Sequence, residues 1–182
     1  TYVVAGIDEW IYGLTGRDWN GILPVRGKLL NVRDKTASTI AGNKVICSLI
    51  QALGLKHNTN YKDEENFNKL NYGRLVIVAD ADVDGIHIEG LVINFIHSLY
   101  PSLLDRKEPF IISLKTPIAR VKRPKLDDLL FYDETNFNNW LSKQTGKVNT
   151  KYYKGLGTTK PEDVPDTFGK KLLEFEKDEN TF

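Results

Sequence analysis

The chain has 182 residues, 25 Lys+Arg against 24 Asp+Glu and a formal net charge of +1, which is single-domain length without a basic excess. Its 41% hydrophobic and 27% charged residues exclude the disordered, collagen-like and coiled-coil classes, and no apolar run approaches the ~20 residues that span a bilayer. A single Cys47 cannot close an intramolecular disulfide, which points to an intracellular, reducing compartment; the absence of Met, position 1 included, points to a piece of a longer protein.

Val3, Val4, Ile7, Ile11 and Leu14 recur at helical spacing before Gly16, so a helix is expected there. Ile22–Val25 reads as a short strand leading into the basic stretch Arg26 to Arg33. Asn43 as N-cap and Gly54 as stop frame a helix through Ile46, Leu49, Ile50 and Leu53, after which Lys56–Glu65 reads as a loop. The run Leu75–Ala79, bounded by Gly73 and by acids, has the pattern of a strand buried on both faces and is expected at the centre of the sheet. Ile88, Leu91, Val92, Phe95 and Leu99 then predict an amphipathic helix ending before Pro101. Strand, acidic turn and helix in this order place a site at the carboxyl end of the strand.

Phe110–Leu114, Ile118–Val121 and Leu129–Tyr132 read as further strands. Phe137, Trp140 and Leu141 mark a short helix, and Lys151-Tyr152-Tyr153 a strand entering the loop Lys154-Gly155-Leu156-Gly157. Thr159 with Glu162 predicts a capping box opening a last helix, with Pro161 in its first turn. The basic cluster Lys115, Arg120, Lys122, Arg123 and Lys125 reads as a charged hairpin tip. The expected architecture is one α/β domain over 1–182, a parallel-sheet core flanked by helices, with a β-rich insertion over 110–151.

Asp80-Ala81-Asp82-Val83-Asp84-Gly85 sets three carboxylates at alternate positions after the predicted strand. Like charges this close repel by roughly 1–4 kcal/mol per pair. A divalent cation is the natural compensation, because hard oxygens suit Mg²⁺ shared with water and a substrate phosphate. An EF-hand calcium loop is excluded, since its twelfth position needs Glu and Leu91 stands there. A haloacid-dehalogenase-type phosphatase would use Asp80 as nucleophile with Asp82, but Asp84 occupies that family's Val or Thr position. In a third reading the acids only cap the following helix, where the macrodipole favours negative charge, and the chain is a non-catalytic interaction domain.

Leu75–Ile96, with Asp80 to Gly85 followed by His87-Ile88-Glu89-Gly90-Leu91, resembles the acidic motif of the TOPRIM domain of type IIA DNA topoisomerases. Pro24-Val25-Arg26-Gly27-Lys28-Leu29-Leu30-Asn31-Val32 resembles that family's Pro-Leu-Arg-Gly-Lys-Ile-Leu-Asn-Val segment, and Tyr152-Tyr153-Lys154-Gly155-Leu156-Gly157-Thr158 its Tyr-Tyr-Lys-Gly-Leu-Gly-Thr loop. Gly16-Arg17-Asp18 with Gly21 fits the approach to the first segment. The wording around Lys154 is closer to the eukaryotic and large-DNA-virus enzymes than to bacterial gyrase. Ala79 and Ile86 depart from the family's Thr and Ser.

The resemblance implies the cleavage and religation centre of an ATP-dependent enzyme that changes DNA topology through phosphotyrosyl links. It implies Asp80, Asp82 and Lys154 as catalytic, Asp80, Asp82 and Asp84 as Mg²⁺ ligands in a two-metal site, and Arg26, Lys28 and Arg33 as contacts to the DNA backbone. The family's Glu-Gly-Asp-Ser-Ala segment with one more ligand, its ATP site, and the winged-helix domain with the attacking Tyr lie outside these residues. A homodimeric parent acting on double-stranded DNA, in the nucleus or at a viral replication site, is implied as well.

Overall fold

The computed structural model describes residues 20–25 and 27–175. The helix expected over Val3 to Leu14 lies outside them, as does Arg26. Two compact units divide the described chain: one takes in Val78–Ile86 and Leu114–Leu172, the other Leu23–Ile77 and His87–Ser113 with residues 173–175.

The second unit opens on Gly27–Arg33, where Leu29 and Val32 turn inward while Lys28 and Arg33 stay exposed; no strand forms at Ile22–Val25. Helices α1 (Ala37–Gly42) and α2 (Lys44–Leu53) follow. The Asn43 side chain accepts the Ile46 N–H, and Gly54 ends α2 at φ 73°. Ile46, Leu49 and Leu53 form the buried stripe. The expected loop carries a short helix α3 (Glu64–Phe67), held by Arg106, whose guanidinium lies 3.5 Å above the Phe67 ring and pairs with Glu64.

Strand β1 (Leu75–Val78), helix α4 (Val83–Leu99) and strand β2 (Ile111–Leu114) follow in the expected order, with a 3₁₀ turn at Pro101–Leu103. Phe95, Ile96, Leu103, Ile111 and Ile112 are fully buried, so the α4 face and β2 form the centre of this core. β2 stands between β1 and β6 (Leu172–Phe175). The central strand is therefore β2, buried at every residue, whereas β1 is at an edge among the described strands and buries only Ile77. The expectation of a doubly buried, central Leu75–Ala79 is corrected: a short apolar run suits an edge strand half covered by a helix as well as a central one. This sheet holds the parallel-strand pair of an α/β core, since the other sheet is wholly antiparallel. The stretch expected to be β-rich over 110–151 contributes to both sheets.

In the first unit β3 (Ala119–Lys122) pairs antiparallel with β4 (Leu129–Phe131) and β5 (Asn149–Tyr152). Helix α5 (Glu134–Leu141) is capped by Asp133, whose side chain accepts the Asn136 N–H at 2.8 Å; that bond holds the Asp133 carboxyl below its ordinary value. Ala119, Val121 and Phe137 form a small core, with Phe131 edge-on to Phe137 at 5.2 Å between ring centroids. The last helix does not begin at Thr159. A 3₁₀ turn, Pro161–Asp163, leads into α6 (Val164–Thr167), and the Thr159 hydroxyl donates to Gly155 O at 3.5 Å instead of capping.

Candidate functional site

The acidic turn belongs to the first unit, and each acid has a different task. Asp82 is the N-cap of α4 by geometry, with its Oδ1 accepting the Gly85 N–H at 2.8 Å and its carbonyl accepting the Ile86 N–H. Asp84 sits exposed in the first turn of α4, where the helix end favours an anion. Asp80 is exposed, and its Oδ1 accepts the Leu156 N–H at 2.7 Å across a separation of 76 residues.

Two glycines make room for Asp80. A Cβ on Gly85 would fall 1.9 Å from the Asp80 carbonyl oxygen, and one on Gly155 would fall 2.9 Å from its carboxylate. Gly155 also holds φ 142°, a conformation that side-chain-bearing residues avoid, and from there the chain enters the 3₁₀ turn Leu156–Thr158. The acidic turn and the Lys154-Gly155-Leu156-Gly157 loop are thus in direct contact, with Lys154 exposed beside Gly155. The sequence singled out both segments but held no signal of their contact.

Hard carboxylate oxygens at Asp80 and Asp82 suit Mg²⁺, which is held by one or two carboxylates with water and phosphate and not by an all-protein cage. Among the described residues no three or more His, Cys, Asp or Glu side chains gather into a group that could hold a metal ion, so Asp80, Asp82 and Asp84 do not form one together. Lys28 and Arg33 are exposed on the second unit.

Sequence reading missed the ion network behind the loop. Arg120, expected at a charged hairpin tip, is a nearly buried hub, bonded to Asp128 at 2.5 Å and Asp166 at 2.7 Å, with Asp163 at 3.7 Å. Asp163, 5% exposed, also binds Lys151 at 2.5 Å. Burial lowers the Arg120 pKa, but its bonds to Asp128 and Asp166 hold it above the ordinary arginine value.

Burial raises the Asp163 pKa, yet the hydrogen bond and charge of Lys151 bring it below its ordinary 3.8. The stability this carboxylate contributes is full above 3.8 and is lost as pH falls through the lower folded value. Lys151 is raised above 10.5 by its bond to Asp163, so its contribution is full below 10.5 and is lost as pH rises through the higher folded value. Asp163→Asn is expected to lower stability at neutral pH by about 1–2 kcal/mol, because Lys151 is partly exposed and Arg120 keeps Asp128 and Asp166, and to flatten the acid limb of the stability curve. Urea melts between about pH 2 and 7 check it, and an unchanged acid limb would count against the network.

Among the described residues no helix is long and apolar enough to cross a membrane. The family described as the C-terminal associated domain of TOPRIM matches residues 114–181. The chain is 42% identical over 196 residues to DNA topoisomerase 2 of Invertebrate iridescent virus 6, covering 99% of this chain and 17% of that relative. It is 40% identical over 170 residues to DNA topoisomerase 2-alpha of Homo sapiens, covering 92% of this chain and 11% of the relative. The crystal structure of the Plasmodium falciparum topoisomerase II DNA-binding, cleavage and re-ligation domain superposes with a TM-score of 0.76 at 35% identity, over 90% of this chain and 21% of that one. The chain spans less than a fifth of each of these two curated relatives. Motifs, α/β core and relatives agree, and the chain belongs to the type II DNA topoisomerases, as their TOPRIM region.

Proposed function

We propose that this chain is the cation-binding part of the DNA cleavage and religation centre of an ATP-dependent type II topoisomerase. The observation that carries the reading is the joining of Asp80 to the Gly155–Leu156 loop, which unites two of the family's motifs in one place. Phosphoryl transfer needs charge neutralisation and positioning more than covalent chemistry from acids. Asp80 and Asp82 would hold Mg²⁺, which when bound offsets charge developing on the scissile phosphate. Asp84 acts through water or by orienting its neighbours.

Lys154, exposed beside the acidic turn, supplies positive charge toward the phosphate. Arg26, Lys28 and Arg33 meet the DNA backbone without reading sequence. The attacking Tyr comes from a winged-helix domain, the parent acts as a homodimer on double-stranded DNA, and ATP binds elsewhere in it. Such an enzyme works inside the cell, in the nucleus or at a viral replication site.

The test is the covalent protein–DNA adduct trapped by denaturant from an enzyme containing this chain. Adduct is expected with Mg²⁺ and is expected to vanish with EDTA. A phosphatase would instead release phosphate from an aryl phosphate through an Asp80 acyl phosphate, and a non-catalytic helix cap would give neither product. Either result would replace the proposal.

A further inference from the structure

We propose that the Gly155–Leu156 turn is a positioning device for Asp80, fixing the carboxylate in the rotamer from which it holds a cation. The inference deepens the proposed function and rests on it. Asp80 opens the acidic turn and is exposed, so its side chain would otherwise sample several rotamers. Two features of the loop remove that freedom. The Leu156 N–H binds one carboxylate oxygen at 2.7 Å, a charge-assisted bond that favours one orientation of the group.

Gly155 lets the backbone pass so close that any side chain would displace the carboxylate, since a Cβ would stand 2.9 Å from both Cγ and Oδ2. With Gly155 at φ 142° and ψ 176°, the next N–H meets Asp80. The loop is itself tied down: Lys151, three residues before Lys154, is bound to buried Asp163, and the Tyr153 N–H donates to Ile118 O at 2.9 Å. A carboxylate already oriented has less rotamer freedom to lose when it binds a cation. Leu156 and Gly155 are therefore positioning residues, acting through Asp80 and not on substrate.

The donor can be removed alone. Leu156 opens the 3₁₀ turn, and Gly155 before it has an extended ψ of 176°, so Leu156→Pro fits the backbone and deletes the N–H. Leu156→Ala trims the side chain and keeps the N–H. Binding of Mn²⁺ to the full chain, read from the free-ion electron paramagnetic resonance signal, compares these variants with Gly155→Ala and Asp80→Asn. Circular dichroism melts report folding.

Leu156→Ala is expected to bind within about twofold of the parent. Leu156→Pro and Gly155→Ala are each expected to bind about tenfold more weakly, with folded spectra retained. Equal affinities for Leu156→Pro and Leu156→Ala would overturn the inference. If Leu156→Pro loses its melting transition, Gly155→Ala decides, and parental affinity in that folded variant would also overturn it. Parental affinity in Asp80→Asn would instead remove Asp80 from the cation site, and the functional reading with it.

Discussion

Gly85→Ala is expected to destabilise the chain by about 3 kcal/mol or more, the largest stability effect of any single methyl group added to the acidic turn. The new Cβ would stand 1.9 Å from the Asp80 carbonyl oxygen, 3.0 Å from its carbon and 3.2 Å from its nitrogen. All three are backbone atoms, so no rotamer change can relieve the overlap. Either the end of the turn moves away from α4 or the first turn of α4 unwinds. Both routes break the bond from Gly85 N–H to Asp82 Oδ1 and displace Asp80 from Leu156. For a chain of this length the loss corresponds to a fall in Tm of roughly 6–12 °C.

Gly90→Ala is the control, because Gly90 lies on the same helix with nothing within 4 Å of a built Cβ. There the added methyl should raise stability by about 0.5–1 kcal/mol, as Ala does for Gly in an exposed helix. Thermal melts of the two variants check the pair. A Gly85→Ala chain melting with the parent would mean that the Asp80 backbone does not pack on the helix start.

Local chemistry explains what could be read in the sequence. Asn43 and Gly54 bracket α2 because a cap acts on an N–H three residues away and a left-handed stop needs only one residue. The acids and the Gly-bracketed loop stood out for the same reason, as did the helix Val83–Leu99 with its apolar recurrence. What failed was set by partners distant in the chain. β1 is wholly apolar while β2 carries Ser113, so apolarity points to the wrong strand, and only pairing with β6 decides which of them is central. Arg120 looked like a solvated cation because its partner Asp166 lies 46 residues on, and charge along a sequence does not say what faces it. The capping box at Thr159 satisfied its pattern but lost to the loop, whose Gly155 carbonyl takes the hydroxyl.

The proposed function adds a second, separable role to the cap that Asp82 makes, and substitutions there are expected to have the largest effect on cleavage. As N-cap of α4 its side chain needs only an acceptor for the Gly85 N–H. As a cation ligand it needs its charge. Asn keeps the acceptor and loses the charge, whereas Ala loses both. Asp82→Ala is therefore expected to lower stability by about 1 kcal/mol, and Asp82→Asn by a few tenths or less.

In an enzyme containing this chain both variants are expected to form covalent DNA adduct at least about 10²-fold more slowly. Mg²⁺ should raise the Tm of the parent chain through binding linkage and should do so less in either variant. The same reasoning covers changing Asp80, Asp82 and Asp84 together to Asn. That variant keeps acceptors for Leu156 and Gly85, sheds the mutual repulsion, and should melt no lower than the metal-free parent while losing the Mg²⁺ response. If Asp82→Asn cleaves at the parental rate while Asp82→Ala does not, Asp82 acts only as a helix cap, and the cation site has to be rebuilt around Asp80 and Asp84.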